Sequence, residues 1–315
     1  MVWTILLLIV GFVVLIVGAD WLVDGATSIG IRAKMSPLMI GLTIVAFGTS
    51  LPELIINVFS CFQGNSGLAI GNIVGSNITN LLLILGVAAI IYPIDVSRIS
   101  IRRDIPAGFV ATIALYLFAH FMGPKNSIGW AEGLALLACA VIYLILTVKV
   151  KDPENTDVEA VQIPMPWWKT ILFVLLGIGG LYGGGELVSR NAQIIAKAWG
   201  MSDAMIGLTV VAVATSLPEL ITSIVAATKK NAGIAIGNVL GSNILNIFVV
   251  LGISGLITPL QFDTKMNNSL FFLFGANLLM TLFVFTGKGR KISRFEGALM
   301  LLAFSGFMTF TVLSN

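Results

Sequence analysis

A chain of 315 residues that is 57% hydrophobic, only 10% charged and net +3, with a mean hydropathy of +1.00, is too apolar for a soluble globular protein. Its apolar residues come in continuous runs of about 20 rather than in strict alternation, which excludes an outer-membrane barrel. Cys61 and Cys139 both lie in apolar runs and suggest no disulfide framework, and no feature points to a nucleic-acid partner. The composition is that of an all-α polytopic membrane protein, whose working partner is the lipid bilayer.

In chain order, apolar segments fall near residues 3–19, 36–62, 67–93, 104–122, 127–148, 169–186, 203–228, 233–259, 268–287 and 295–313, which makes ten candidate transmembrane helices. The first lacks the basic n-region of a secretory signal, and its pattern returns near 170–188, so it reads as a retained helix. The most polar stretch, Lys149 to Lys169, contains three prolines and five acidic or basic residues in close succession, and reads as a short linker without room for a folded domain. It divides the chain into residues 1–150, a linker at 151–168, and residues 169–315, with five candidate spans in each half.

The halves are related. Gly41 to Gly86 recurs as Gly207 to Gly252 at a constant offset of 166 residues, with no gap and about 25 of 46 positions identical. The offset extends outward, matching Asp20 with Glu186, Met35-Ser36 with Met201-Ser202, and Pro93 with Pro259; near the ends it becomes 164, matching Glu132-Gly133 with Glu296-Gly297. Because five is odd, the second half must lie upside down relative to the first, an inverted-topology repeat. With both termini extracytoplasmic and the linker inside, about 14 of the 18 basic residues fall on the cytoplasmic side, as the positive-inside rule requires.

Each repeat carries one glutamate inside an apolar run, Glu53 and Glu219, both preceded by Thr-Ser-Leu-Pro. A carboxylate at mid-membrane costs roughly 2.5 kcal/mol or more to insert, so two at matched positions point to a held cation. Thr49 and Thr215 lie one helical turn earlier, Ser50 and Ser216 add a second hydroxyl each, and Pro52 and Pro218 open the preceding turn so that carbonyls near Ala46 to Gly48 and Ala212 to Ala214 can face an ion. The next helix of each repeat presents a stripe at intervals of four: Asn72, Ser76 and Asn80, then Asn238, Ser242 and Asn246. Gly67, Gly71 and Gly75, matched by Gly233, Gly237 and Gly241, permit close helix approach. Asn72, Asn77, Asn238 and Asn243 read as structural, and Asp20 and Glu186 as solvated helix-end charges. Glu132 and Glu296 fall in the first turn of a helix, where the dipole favours acid. An oxygen-only set of two carboxylates, hydroxyls, amides and carbonyls suits Ca²⁺ and Na⁺ and argues against zinc or copper.

Gly-Thr-Ser-Leu-Pro-Glu in the first repeat, Ala-Thr-Ser-Leu-Pro-Glu in the second, and Gly-Asn-(Ile/Val)-(Val/Leu)-Gly-Ser-Asn in both resemble the α-repeats of the cation/Ca²⁺ exchanger superfamily, most closely its prokaryotic Na⁺/Ca²⁺ exchangers. The resemblance implies a central cluster of cation sites with Thr49, Ser50, Glu53, Ser76, Asn80, Thr215, Ser216, Glu219, Ser242 and Asn246 as ligands, joined by the carbonyls of Ala46 and Ala212. It implies that Glu53 and Glu219 bridge Ca²⁺ and share the Na⁺ sites, with the first and sixth helices sliding to alternate access. Some relatives have Asp where this chain has Asn246, which leaves K⁺ dependence disfavoured; the Ser-Leu-Pro-Glu motif favours Na⁺ over H⁺ as counter-ion. The expected function is Ca²⁺ antiport against Na⁺ in the cell (inner) membrane, without a cofactor, nucleotide or obligate protein partner, and the alternative is Ca²⁺/H⁺ exchange by the same glutamates. A nucleotide-driven pump lacks a Gly-x-x-x-x-Gly-Lys-Ser/Thr sequence, an intramembrane hydrolase lacks a base near Thr49 or Ser50, and a passive channel lacks a ring of pore-lining residues.

Overall fold

The computed structural model describes residues 1–122, 126–149, 164–200, 212–262, 266–286 and 289–314. Among them, helix α1 (Val2–Ala33) is followed by α2 (Pro37–Thr49), α3 (Leu51–Phe62), α4 (Ser66–Ile91), α5 (Ser100–Phe121) and α6 (Trp130–Lys149). The second half supplies α7 (Trp167–Ala198), α8 (Ala212–Thr215), α9 (Leu217–Thr228), α10 (Ala232–Ile257), α11 (Asn267–Thr286) and α12 (Arg294–Ser314). Eight of these are long and apolar enough to cross a membrane, or nine when α2 and α3, bent by 42° at their junction, are taken as one broken span. The remaining expected span, 203–228, is described from residue 212 onward, and the expected linker from residue 164 onward.

Two short antiparallel ladders tie the halves together. Strand β1 (Ile94–Asp95) pairs with β4 (Lys291–Ile292), in the register Ile94 to Ile292, and β2 (Ser127–Ile128) pairs with β3 (Leu260–Gln261), in the register Ile128 to Leu260. At the repeat offsets Ile94 corresponds to Leu260 and Ile128 to Ile292, so the β1–β4 pair and the β3–β2 pair are counterparts of each other. The same exchange recurs in the helices: a Cβ on Gly86 would lie 3.0 Å from the Gly297 carbonyl, and one on Gly133 would lie 2.7 Å from that of Gly252. Such reciprocity is what a pseudo-two-fold relation between the halves produces.

The α4 and α10 helices form the centre. In each, 78% of the apolar window is buried inside the protein, against 22–39% in the other six continuous spans, so these two are enclosed and those six face lipid. They share a feature in the middle, where wide π-helical turns open at Asn80 (Asn80–Ile84) and at its counterpart Asn246 (Asn246–Leu251). Turns of this kind displace side chains from the regular helical stripe and recur at functional sites.

Helices α1 and α7 form the most extensive pairing and run antiparallel. A Cβ on Gly11 would sit 3.1 Å from the Gly184 carbonyl, one on Gly18 3.0 Å from that of Gly177, and Ser28 and Thr170 hydroxyls meet at 2.9 Å. Both helices are 32 residues long, well beyond the expected 3–19 and 169–186. Asp20 and Glu186 therefore lie inside helices rather than at their ends. Asp20 and Asp24 are 2.7 and 2.5 Å from Lys229 at the end of α9, and Glu186 pairs with Arg190 at 2.5 Å. Burial works to lower the Lys229 pKa, but the hydrogen bonds it donates to Asp20 and Asp24 more than offset this and hold it above its ordinary value. The sequence pattern stops at the first charge, while the helix continues because that charge is paired.

Several of the described basic residues gather at one end of the molecule. Arg32 donates to the Met165 carbonyl, Val96 N–H donates to the Arg290 carbonyl at 2.9 Å, and Lys291 meets Asp95 at 3.0 Å. Lys230, Arg290, Tyr92 and Pro37 line one polar cleft of about 440 Å³ there. Helices α6 and α12 open with acidic caps: the Glu132 carboxylate accepts from Gly129 N–H at 2.9 Å, and that of Glu296 accepts from Ser293 N–H at 2.7 Å, as the first-turn placement anticipated.

Candidate functional site

The site is built at two matched helix breaks. Proline cannot donate to the carbonyl four residues earlier, so Pro52 and Pro218 are accommodated only at the start of a new helix. The chain accordingly interrupts at Ser50 (φ −83°, ψ 3°) and at Ser216 (φ −91°, ψ 7°) before α3 and α9 begin. This leaves Glu53 and Glu219 in the first turns of their helices, where unpaired N–H groups and the helix dipole favour negative charge. Both are fully buried.

Around them the two halves interlock. Ser50 donates to Glu219 Oε1 at 3.3 Å, which brings the break of the first half against the carboxylate of the second. Thr49 donates to Asn238 Oδ1 at 3.0 Å and lies 3.5 Å from Ser242 Oγ. Asn238 in turn donates to the Glu219 carbonyl at 3.2 Å and to Ser223 Oγ at 2.9 Å. Thr49, Ser50, Ser76, Asn80, Ser216, Ser242 and Asn246 are all buried. Thr215 lies in α8, one turn before Glu219. The Ala46 carbonyl accepts from Ser50 N–H at 3.0 Å and from the Thr49 hydroxyl at 3.3 Å, so it is engaged within its own helix. Ala212 opens α8.

Close approach of α2 to α10 makes the Thr49 contacts possible. A Cβ on Gly237 would lie 2.5 Å from the Leu38 carbonyl oxygen and 2.9 Å from Gly41 Cα, so a side chain at either glycine forces the two helices apart. Gly233 and Gly241 meet the same helix. Residues 203–211, which correspond to all but the last turn of α2, lie outside the described residues, and with them the expected neighbours of Gly67 and Gly71.

Asn77 and Asn243 have a role that the spacing alone did not give them. The Asn77 amide donates to the Asn243 backbone carbonyl at 3.0 Å, and the Asn243 amide donates back to the Asn77 carbonyl at 3.1 Å. A carbonyl only accepts, so each of these side chains must turn its NH₂ toward it and its oxygen away. That oxygen then receives the amide of a site residue: Asn80 donates to Asn243 Oδ1 at 2.9 Å, and Asn246 donates to Asn77 Oδ1 at 3.1 Å. The NH₂ groups of Asn80 and Asn246 are thereby turned toward these acceptors, and their carbonyl oxygens are left without a hydrogen-bond partner. Replacing Asn243 by Ala should cost about 1–3 kcal/mol, because Asn77 and Asn80 lose partners in a dry core. A lowered Tm in detergent together with weakened cation protection would show both effects.

The free oxygens define the site. Among the described residues, eleven buried side-chain nitrogen and oxygen atoms have no hydrogen-bond partner, and eight belong to Glu53, Ser76, Asn80, Ser216, Glu219, Thr222 and Asn246. Buried polar atoms are normally satisfied, and each orphan costs stability. Every one of the eight is an oxygen, the donor type that hard cations accept. No group of three or more His, Cys, Asp or Glu side chains that could hold a metal ion occurs among the described residues. Thr222 was not among the residues selected from the repeat, because its counterpart is Ile56.

A third buried carboxylate is of a different kind. Asp104 accepts from Arg103 at 2.7 and 3.2 Å and from Tyr143 at 3.1 Å, which neutralises it within a clasp between α5 and α6. It has every partner that Glu53 lacks.

The chain matches the family model described as sodium/calcium exchanger protein over residues 3–149 and 169–313. CaxA of Alkalimonas amylolytica is 39% identical over 308 residues, which cover 95% of each chain. The sodium/calcium exchanger MaX1 of Methanosarcina acetivorans is 31% identical over 346 residues, covering 96% of this chain and 97% of its own. The solved structure of the sodium-calcium exchanger NCX_Mj soaked with 2.5 mM Na⁺ and 0.1 mM Ca²⁺ is similar at a TM-score of 0.81 and 32% identity, over 100% of this chain and 99% of that one. On sequence and fold alike, the chain is a multi-pass membrane protein that belongs to the sodium/calcium exchanger family.

Proposed function

We propose that this protein is a secondary antiporter that exchanges Ca²⁺ for Na⁺ at a site shared by its two halves. The observation that carries the reading is the set of unpartnered buried oxygens on Glu53, Glu219 and the matched Ser and Asn residues of the two repeats. Two ionised carboxylates in one dry site repel each other unless a cation lies between them, and one Ca²⁺ or several Na⁺ satisfy the same pair. Occupancy by one excludes the other, and that competition is the coupling.

Glu53 and Glu219 hold the charge of the ion, and Ser76, Asn80, Ser216, Ser242 and Asn246 complete its coordination with neutral oxygens. Thr49, Ser50 and Thr215 reach it by exchanging present partners for the ion, and the carbonyls of Ala46 and Ala212 join when the adjoining hydroxyls turn away. The chain comprises ten spans in two inverted units, 1–150 and 169–315, joined by the linker 151–168. The end that gathers Arg32, Lys229, Lys230 and Arg290 faces the cytoplasm, and both termini face outward. The ion gradient supplies the energy, so no resident cofactor or chemical step enters the cycle, and the protein is a transporter of the cell (inner) membrane rather than an enzyme.

Proteoliposomes loaded with Na⁺ and diluted into Na⁺-free buffer should accumulate Ca²⁺ above its external concentration. Ca²⁺ that only runs down its own gradient, whatever the trans ion, would identify a channel instead.

A further inference from the structure

Thr222 stands apart from the other hydroxyls inside the helices. A buried helical Ser or Thr ordinarily donates to the carbonyl four residues earlier. Thr27, Thr43, Thr112, Thr147 and Ser254 all do so here, at 2.6–2.9 Å. Thr222 is fully buried, yet its hydroxyl has no partner, although the Pro218 carbonyl is the acceptor that this rule assigns to it. Only two other buried hydroxyls among the described residues share that condition, Ser76 and Ser216, and both belong to the cation site.

Its position gives the orphan hydroxyl a direction. Thr222 lies one turn beyond Glu219 along α9, which then runs to Thr228 and Lys229 at the basic end of the molecule. Ser223, on the neighbouring stripe, is occupied with Asn238. In the first half the equivalent of Thr222 is Ile56, one turn beyond Glu53 toward the opposite end. Ile56 is half-buried where Thr222 is fully buried, so the repeat itself does not require a hydroxyl at that position.

We propose that Thr222 is a cation-contact residue on the passage between Glu219 and the face bearing Lys229, where its hydroxyl oxygen replaces a hydration water of Na⁺ or Ca²⁺ entering or leaving the site. The passage from Glu53 to the other face offers no oxygen at the matching position, which makes the two routes chemically unequal. This rests on the exchanger reading above.

The test uses the isosteric Thr222→Val, with Thr222→Ser as the variant that keeps the oxygen. Val buries no unmet hydroxyl, so its Tm should equal or exceed that of the parent. In inside-out and right-side-out vesicles, Thr222→Val should raise the apparent KM for Ca²⁺ presented at the Lys229 face by about fivefold or more and leave the opposite face unchanged. Thr222→Ser should restore most of the loss. Unchanged KM at both faces, or an equal change at both, overturns the proposal. Should the unmodified protein show no Na⁺-coupled flux, the exchanger reading fails by itself, and the sidedness of Thr222→Val is still read from Ca²⁺/Ca²⁺ exchange.

Discussion

Glu53→Gln and Glu219→Gln are each expected to weaken Ca²⁺ binding by at least about a hundredfold and to abolish exchange, while leaving the ion-free protein as stable as the parent or more so. The asymmetry follows from the burial of both carboxylates without a compensating positive charge. Glutamine keeps the shape, removes the like-charge conflict and spares the fold the cost of desolvating an anion. The parent should gain about 2.7 kcal/mol of stability at a Ca²⁺ concentration a hundred times its Kd, and the variants should gain almost none. Thermal unfolding in detergent with and without Ca²⁺ reads both quantities from one preparation. If either variant kept the full Ca²⁺-dependent rise in Tm, that glutamate would not belong to the site. Asp104 is the internal contrast: Asp104→Asn breaks the clasp with Arg103 and Tyr143, so it should lower Tm in the absence of Ca²⁺.

The second large effect is steric. Gly237→Leu must part α2 from α10, because even its Cβ would fall 2.5 Å from the Leu38 carbonyl oxygen, against backbone that cannot yield as a side chain would. Overpacking of this kind costs about 1–3 kcal/mol for a single methyl-sized intrusion and more for a branched chain. The expected result is loss of a monodisperse peak on gel filtration for Gly237→Leu. Gly237→Ala should give a folded protein of lowered Tm and weakened Ca²⁺ binding, since moving α2 also moves Thr49 away from Asn238 and Ser242. Gly306→Ala, where an added Cβ meets nothing within 4 Å, should behave as the parent. Equal tolerance of alanine at 237 and 306 would mean that the helices do not pack as closely as described.

Much of this architecture is written in the repeat. The glutamates, the prolines that break their helices and the amide stripes at intervals of four are all local patterns, and duplication doubles the signal of each. The structure places them at matched breaks and on the two most enclosed helices. What the sequence withholds are relations between distant side chains. Spacing puts Asn77 beside Asn80, but it does not show that Asn77 serves Asn246 in the other half. Apolar periodicity ends α1 near residue 19, whereas the helix continues past Asp20 and Asp24 because Lys229, two hundred residues away, pairs with them. Thr222 and the Arg103–Asp104–Tyr143 clasp have no counterpart in the other half, so matching the repeats passes over them. Symmetry revealed the shared site and concealed the residues that make its two sides different.

The proposed site shared by the two halves implies a single exchange reaction, whose counter-ion is open to direct test. Neutral Asn246, the free amide oxygens and two carboxylates suit a cavity in which Na⁺ and Ca²⁺ contend for the same oxygens. Purified protein in tight proteoliposomes, given in turn an outward Na⁺ gradient at uniform pH and a pH gradient without Na⁺, measures this directly through ⁴⁵Ca²⁺ uptake. The account predicts uptake that follows the Na⁺ gradient, collapses when a Na⁺ ionophore dissipates it, and is absent with the pH gradient alone. Uptake driven by the pH gradient, with Na⁺ inert, would contradict it and assign the same two glutamates to Ca²⁺/H⁺ exchange.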